Sequence, residues 1–200
     1  MADASHELDE LEGPWDRLRP PARGWTAKDL DRIPDLPPHT QLIDGSLVFP
    51  SYQTTFHSLV SSLFGTSLRR CAPPEFGVSR QQTITLGVGQ RPEPDVFVVH
   101  RDGITGLDQN DFSPVHVVLV IEVESPDSEL RDRHRKPDLY AEAGIPHFWR
   151  VENQNSEAVV FVYALDKENG EYKLTGEYRG QLKVDLPFPI EIDLTEIRQL

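Results

Sequence analysis

Two acidic residues lie at the ends of apolar segments, where carboxylates can bind a metal ion. Asp95 follows Pro94 and begins the run DVFVV, and Glu122 lies near the end of VHVVLVIEV (115–123). Acids at the ends of buried strands are costly unless they are exposed, paired or bound to a metal. A turn-rich segment separates the two runs, so they can be sheet neighbours whose converging oxygens suit Mg²⁺ or Mn²⁺. The alternative is that both are solvent-exposed strand ends.

A second group of chemically capable residues follows in the segment SELRDRHRKPDLY. Asp132, Lys136 and Tyr140 recur at every fourth position, which would place them on one helical face. A lysine beside metal-bound acids could orient or activate a water molecule, or stabilise charge on a phosphoryl group. The spacing alone favours an ordinary solvated Asp–Lys pair. Pro137 disfavours helical geometry at Lys136, so the helix either begins near residue 136 or kinks there.

The one dense basic cluster lies in this same segment and could contact a phosphate backbone; it consists of Arg131, Arg133, Arg135 and Lys136. The alternative is a surface balanced by the acids beside it. The chain carries a formal net charge of −13. Proteins that coat nucleic acid are usually basic, so a role on nucleic acid requires a local basic patch or a bound metal.

Composition excludes several other classes of protein. The chain has 200 residues and one cysteine, Cys71, so neither an intramolecular disulfide framework nor a four-thiolate zinc site is available. The acidic N-terminus has no apolar core, and no apolar run suggests a membrane span, so we expect a cytoplasmic protein without a membrane partner. Neither a P-loop nor a nucleophile elbow is present, and the histidines show no zinc-ligand spacing.

The hydrophobic pattern predicts a flexible acidic tail over residues 1–24 and a single domain over 25–200. Apolar residues at helical spacing predict a helix over 53–70, and a further helix is expected over 128–143. Strands are expected over 81–87, 95–100 and 115–123, with hairpins turning at Asp44-Gly45 and Asn169-Gly170. A mixed α/β domain around one central sheet follows from this order.

An ordered set of motifs resembles the Uma-two family, whose members belong to the restriction-endonuclease-like, PD-(D/E)XK superfamily. The matching segments are WT-x-x-DL (25–30), QLIDGSLV (41–48), His57, RPEPDVFVV (91–99), VLVIEVESP (118–126), the Asp132–Lys136–Tyr140 spacing and YAEAGIPHFWRVE (140–152). This resemblance covers about residues 25–200. It implies a mixed sheet flanked by helices, with additional hairpins, and a Mg²⁺ or Mn²⁺ site.

The resemblance also assigns roles to residues. The motif aspartate falls on Asp95 and the motif glutamate on Glu122, with the backbone carbonyl of Val123 as a third metal ligand. The superfamily usually places its lysine two residues after the glutamate, where this chain has Glu124; the family lysine instead falls on Lys136. Accessory positions are Glu124, His57, Tyr140 and Gln41, the last standing where the family usually has a glutamate. His57 is equally well explained as a structural histidine at a helix end.

The leading hypothesis is a metal-dependent endonuclease that hydrolyses phosphodiester bonds of nucleic acid, with DNA as the expected substrate. A homodimer is expected by analogy with the superfamily. The rival hypothesis is a non-catalytic member of the same fold that binds protein or nucleic acid, as the acidity, Gln41 and Pro137 suggest. A third is a purely structural acidic domain.

Overall fold

The computed structural model describes residues 18–50, 52–126, 128–129 and 131–198. Most of the predicted acidic tail therefore lies outside the described residues. The helices are α1 (Ala27–Leu30), α2 (Thr55–Cys71) and α3 (Lys136–Glu142). The strands are β1 (Gln41–Ile43), β2 (Ser46–Val48), β3 (Phe76–Arg80), β4 (Thr83–Ile84), β5 (Val96–His100), β6 (Asp111–Phe112), β7 (Val117–Val123), β8 (His147–Gln154), β9 (Glu157–Asp166), β10 (Glu171–Arg179), β11 (Gln181–Val184) and β12 (Ile190–Asp193). No described helix is both long and apolar enough to cross a membrane.

Six strands form the central sheet in the order β10-β9-β8-β7-β5-β3. The pair β7–β8 is parallel and the other pairs are antiparallel. All seven residues of β7 are buried, as its almost continuous apolar sequence predicts for a strand covered on both faces. The predicted mixed sheet flanked by helices is confirmed, and short hairpins β1–β2 and β11–β12 lie outside it.

Each face of the sheet has its own apolar core. On one face, α2 packs Val60, Phe64 and Leu68 against residues that include Val96 and Trp149. On the other face, Tyr140 of α3 packs among apolar residues that include Phe97, Val120 and Phe148. Side chains alternate along β5 and β7, so the residues that end these strands on the α3 side lie under α3.

The β1–β2 hairpin and α1 attach to the sheet end through a loop at residues 87–91. Asp44 and Gly45 form the turn with positive φ values of 51° and 69°, as expected for an Asp-Gly hairpin. Gly45 N–H donates to Gly89 O at 3.0 Å, and Leu42 N–H donates to Arg91 O at 3.0 Å. The hairpin is thereby fixed beside the end of the sheet where β5 begins.

Two sequence predictions for the sheet are corrected by the structure. The strand expected over 81–87 is wrong: the sheet strand is β3, and only Thr83–Ile84 of the predicted run is extended in a ladder, with β6. Every residue of β3 is half-buried, so this edge strand lacks the apolar alternation that identifies strands. The strand predicted from residue 115 begins at Val117, because Pro114–His116 forms a 3-10 turn.

The predicted helix over 128–143 is divided into two parts. Arg131–Arg135 is a π-helical turn, and α3 continues it from Lys136. Pro137, near the start of α3, has no N–H and cannot donate to an α-helical ladder from the preceding turn. Wider i→i+5 turns commonly occur as single-turn insertions at functional sites.

Candidate active site

The first candidate residue, Asp95, immediately precedes β5. Val96 pairs with Ile121 of β7 in an antiparallel register, so Asp95 lies beside Glu122 at the end of the two strands. Asp95 Oδ2 accepts a hydrogen bond from the backbone N–H of Val123 at 2.7 Å. The carboxylate therefore occupies the edge of β7 where strand β5 no longer pairs.

Glu122 is buried, with 1% of its surface exposed, and both of its carboxylate oxygens have donors. Lys136 Nζ donates to Oε2 at 3.0 Å, and the hydroxyl of Tyr140 donates to Oε1 at 2.6 Å. The predicted helical spacing thus places Lys136 and Tyr140 on the face of α3 that covers Glu122.

Asp132 joins the same group from the π-helical turn. Its Oδ1 lies 3.0 Å from Lys136 Nζ, and both side chains are almost fully buried. The contact has the distance of an ion pair, but Asp132 Oδ1 has no hydrogen-bond partner of acceptable geometry. The ammonium of Lys136 is therefore shared between Asp132 and Glu122. The spacing alone had favoured a solvated pair of Asp132 and Lys136, and the structure instead buries both side chains.

His57 belongs to this group as well. It lies in the first turn of α2, whose N-cap Thr54 accepts a hydrogen bond from the backbone N–H of His57. His57 Nε2 lies 2.9 Å from Asp95 Oδ1, and the imidazole is buried. Of the two explanations left open by the sequence, the structure places His57 at the candidate site, in contact with Asp95.

One cleft of about 80 Å³ at the end of the sheet is lined by Asp95, Glu122, Asp132, Lys136 and His57, with Tyr140 behind Glu122. His39 and Gln41 line it from the N-terminal side, and Ser128 and Arg131 line it from the segment before α3. The side-chain oxygen of Gln41 accepts a hydrogen bond from the backbone N–H of Glu93 at 3.2 Å. Gln41 therefore supports the loop before Asp95 from the accessory position that the resemblance assigned to it.

The cleft holds more acid than its lysine can balance. Burial raises the pKa of Glu122, and the charges of Asp132 and Asp95 raise it further against the attraction of Lys136. Burial lowers the pKa of Lys136, but the attraction of Asp132 and Glu122 outweighs it, so that pKa lies above its ordinary value. The raised pKa favours the protonated form of Glu122, and a cation bound in the cleft would favour its ionised form instead.

Of the remaining predicted residues, Glu124, Arg133 and Arg135 lie outside the cleft. Glu124 forms a bidentate ion pair with Arg133, at 2.7 and 2.8 Å, and is not among the residues that line the cleft. Arg135 forms a bidentate pair with Asp44 of the β1–β2 turn, with a nitrogen–oxygen distance of 2.8 Å for one bond. Of the three predicted arginines, Arg131 alone lines the cleft, where it forms no ion pair with any described residue.

The donor set fits a hard divalent cation only in part. No cluster of three or more His, Cys, Asp or Glu side chains with metal-binding geometry occurs among the described residues. The third predicted ligand is the carbonyl of Val123: its N–H donates to Asp95, and in an extended strand the N–H and carbonyl of one residue point to the same side. Two carboxylates and one backbone carbonyl suit Mg²⁺, which usually keeps several waters.

Asp132 was the residue least expected at this site. The sequence placed it on the face of Lys136 but did not single it out as a functional residue. The four-residue spacing between Asp132 and Lys136 was the only sequence feature that pointed to it, and this spacing is common on solvated helices. The contact of Lys136 with Glu122 is what brings Asp132 into the site.

Comparisons with known proteins agree with this architecture. The family model described as "Uma2: Putative restriction endonuclease" matches residues 27–195. A crystal structure of "a putative nuclease belonging to DUF820" from Anabaena variabilis superposes with a TM-score of 0.67 at 19% identity, covering 87% of this chain and 97% of that one. No curated protein matches. Because the family model spans most of the domain, the chain belongs to the Uma2 family of restriction-endonuclease-like proteins.

Proposed function

We propose that this protein is a divalent-metal-dependent endonuclease that hydrolyses phosphodiester bonds of DNA. The observation that carries the proposal is the convergence of Asp95 and Glu122 at the ends of neighbouring strands, in one cleft with Lys136. Membership of the Uma2 family supports the nuclease class. The metal is inferred from the chemistry of the cleft, and the DNA substrate from the family's description as restriction endonucleases.

Asp95, Glu122 and the carbonyl of Val123 would hold Mg²⁺ or Mn²⁺. When bound, such an ion polarises a phosphoryl oxygen and lowers the pKa of a coordinated water. His57 holds Asp95 through its Oδ1, and Tyr140 holds Glu122 through its Oε1. Both carboxylates are therefore oriented before any ligand arrives, which reduces the cost of assembling the site.

Lys136 and Arg131 supply the positive charge of the cleft. The ammonium of Lys136 can stabilise charge that develops on the phosphoryl oxygens, and it can orient the attacking water. Arg131 reaches the same cleft and is suited to contact a phosphate next to the scissile one. These local cations and the metal would have to overcome the charge of −13 on the chain as a whole.

A second candidate function is a binding module that has kept the fold without catalysis. Its support is the position two residues after Glu122, where the superfamily usually has a lysine and this chain has Glu124, paired with Arg133. Such a module needs no metal at Asp95, so metal dependence separates the two functions. The expected homodimer remains a prediction, as does the cytoplasmic location.

The direct test is a cleavage assay on single-stranded and duplex DNA and RNA, with Mg²⁺, Mn²⁺ or EDTA. We expect cleavage of DNA only when a metal is present, and none from Asp95→Asn at the same protein concentration. Cleavage that persists in EDTA or in Asp95→Asn would show that another site acts. Selective binding of nucleic acid without cleavage, unchanged by metal, would favour the binding module.

A further inference from the structure

The ammonium of Lys136 has two carboxylate partners where a simple ion pair needs one. Its Nζ lies 3.0 Å from Glu122 Oε2 and 3.0 Å from Asp132 Oδ1. Both acids have about 1% of their surface exposed, and Lys136 has 4%. A second buried acid beside one ammonium leaves a negative charge without its own counter-charge, which costs free energy of folding. The second partner therefore calls for a functional explanation.

Asp132 is held for this contact by the local backbone. The π-helical turn ends at Arg135, and α3 starts at Lys136, so Asp132 and Lys136 lie across the junction between two helical geometries. The backbone N–H of Asp132 donates to Ser128 O at 2.8 Å, which fixes the start of the turn beside the cleft. Asp132 Oδ1, buried and without a hydrogen bond, faces the ammonium and the cleft.

The two carboxylates compete for one ammonium. If Glu122 were its only partner, Lys136 and Glu122 would form a closed, neutral pair, and a metal ion would have to displace the ammonium to bind Glu122. With Asp132 as the alternative partner, the ammonium stays in the cleft while Glu122 turns its charge to the metal. The need arises because this lysine comes from a helix that covers the glutamate, and not from the strand itself.

We propose that Asp132 is a positioning residue that shares the ammonium of Lys136 and so leaves Glu122 available to a divalent cation. This inference rests on the proposed metal-dependent function of the same site. Asp132 acts through Lys136 and is not itself a ligand of the metal. Its removal should therefore weaken metal binding only while the ammonium is present.

The experiment measures Mn²⁺ affinity by titration calorimetry on the full chain. Asp132→Asn should raise the Kd about tenfold or more, a usual loss when a group that orients metal ligands is removed. Adding Lys136→Met to that variant should return the Kd to within about threefold of the wild-type value, because the competing cation is gone. A merely structural role for Asp132 would predict a further loss in the double variant.

Two controls keep the result interpretable. Asp138→Asn removes an exposed acid from α3 and should leave the Kd unchanged. Asp132→Glu keeps the negative charge and should bind Mn²⁺ more tightly than Asp132→Asn, with thermal melting confirming that each variant is folded. An unchanged Kd in Asp132→Asn, or no recovery in the double variant, overturns the inference alone. Absence of Mn²⁺ binding by the wild-type chain overturns the proposed function as well.

Discussion

Two neighbouring clusters of charged side chains lie at the end of β7, and they differ in how their charge is balanced. The cleft cluster consists of Asp95, Glu122, Asp132, Lys136 and His57, with one lysine among three carboxylates. The balanced cluster consists of Glu124, Glu152, Arg133 and Arg150, with two partly buried carboxylates and two guanidinium groups, and Arg133 also lies 3.5 Å from the exposed Glu129 at its edge.

In the balanced cluster, each charged group lies beside a group of opposite charge. Arg133 donates two hydrogen bonds to the carboxylate of Glu124. Arg150 forms an ion pair with Glu152 at 2.9 Å, and its guanidinium carbon lies 4.9 Å from the ring centroid of Phe161. The cleft cluster is more deeply buried, and it sets three acids against one lysine, with Arg131 as a further cation that lines the cleft. We attribute the excess of acid in the cleft cluster to the proposed metal site and the balance of the second cluster to a structural role, although Glu122 and Glu124 are only two residues apart.

Removing a cleft carboxylate should have the largest effect. Asp95→Asn and Glu122→Gln should each lower metal-dependent cleavage by about a thousandfold, since a metal ion is worth several kcal/mol to the transition state. In the balanced cluster, Glu124→Gln should keep most of the cleavage rate. Initial rates under saturating metal measure all three. Equal losses in the two clusters would break the distinction between them.

Removing the cleft lysine should separate stability, metal binding and cleavage. Lys136→Met leaves two buried acids without their cation, so the free energy of unfolding in EDTA should fall by about 3–5 kcal/mol. Mn²⁺ should restore part of that stability by binding the folded state. Cleavage should nevertheless fall by about 10²–10⁴-fold. Denaturant unfolding with and without Mn²⁺ measures the first two effects, and a stability that ignores Mn²⁺ would contradict them.

Disrupting the balanced cluster should affect stability alone. Arg133→Met removes a partly exposed ion pair, worth about 1 kcal/mol, and should lower the melting temperature by about 2–4 °C. The Mn²⁺ Kd should match that of the wild type, because Arg133 does not line the cleft. A change in Kd larger than about threefold would show that the two clusters are coupled.

The smallest expected effect concerns Tyr140. Tyr140→Phe removes the hydroxyl that donates to Glu122 Oε1 and keeps the ring in the core beside Phe148. Cleavage should fall about tenfold, as expected for a group that orients a metal ligand. Stability should change by about 1 kcal/mol, the usual worth of one hydrogen bond. A rate equal to that of the wild type would place Tyr140 among purely structural residues.

The sequence predicted the frame of the site well because its signals are local. The apolar run before Glu122 indicated a buried strand, and helical spacing identified α2 to within two residues at either end. The four-residue spacing of Asp132, Lys136 and Tyr140 indicated that they share one face of a helix. The structure then placed Glu122 beneath that face, which local spacing could not show.

The remaining features depend on contacts between distant residues. His57, at the start of α2, contacts Asp95, just before β5. The spacing of these two residues in the sequence does not predict this contact. The resemblance gave Glu124 an accessory position, but β7 ends at Val123, and the side chain of Glu124 pairs with Arg133 outside the cleft. Pro137 allowed either a helix that begins near residue 136 or a kink there. In the structure α3 begins at Lys136, and a π-helical turn precedes it.

Asp95 and Glu122 are proposed to form a site for a divalent cation, and titration calorimetry with Mn²⁺ is the direct test. Wild type, Asp95→Asn and Glu124→Gln should be measured side by side. We predict one binding event at micromolar to millimolar Mn²⁺ in the wild type and in Glu124→Gln, and its loss in Asp95→Asn. Binding that survives unchanged in Asp95→Asn would contradict the account, as would its loss in Glu124→Gln alone.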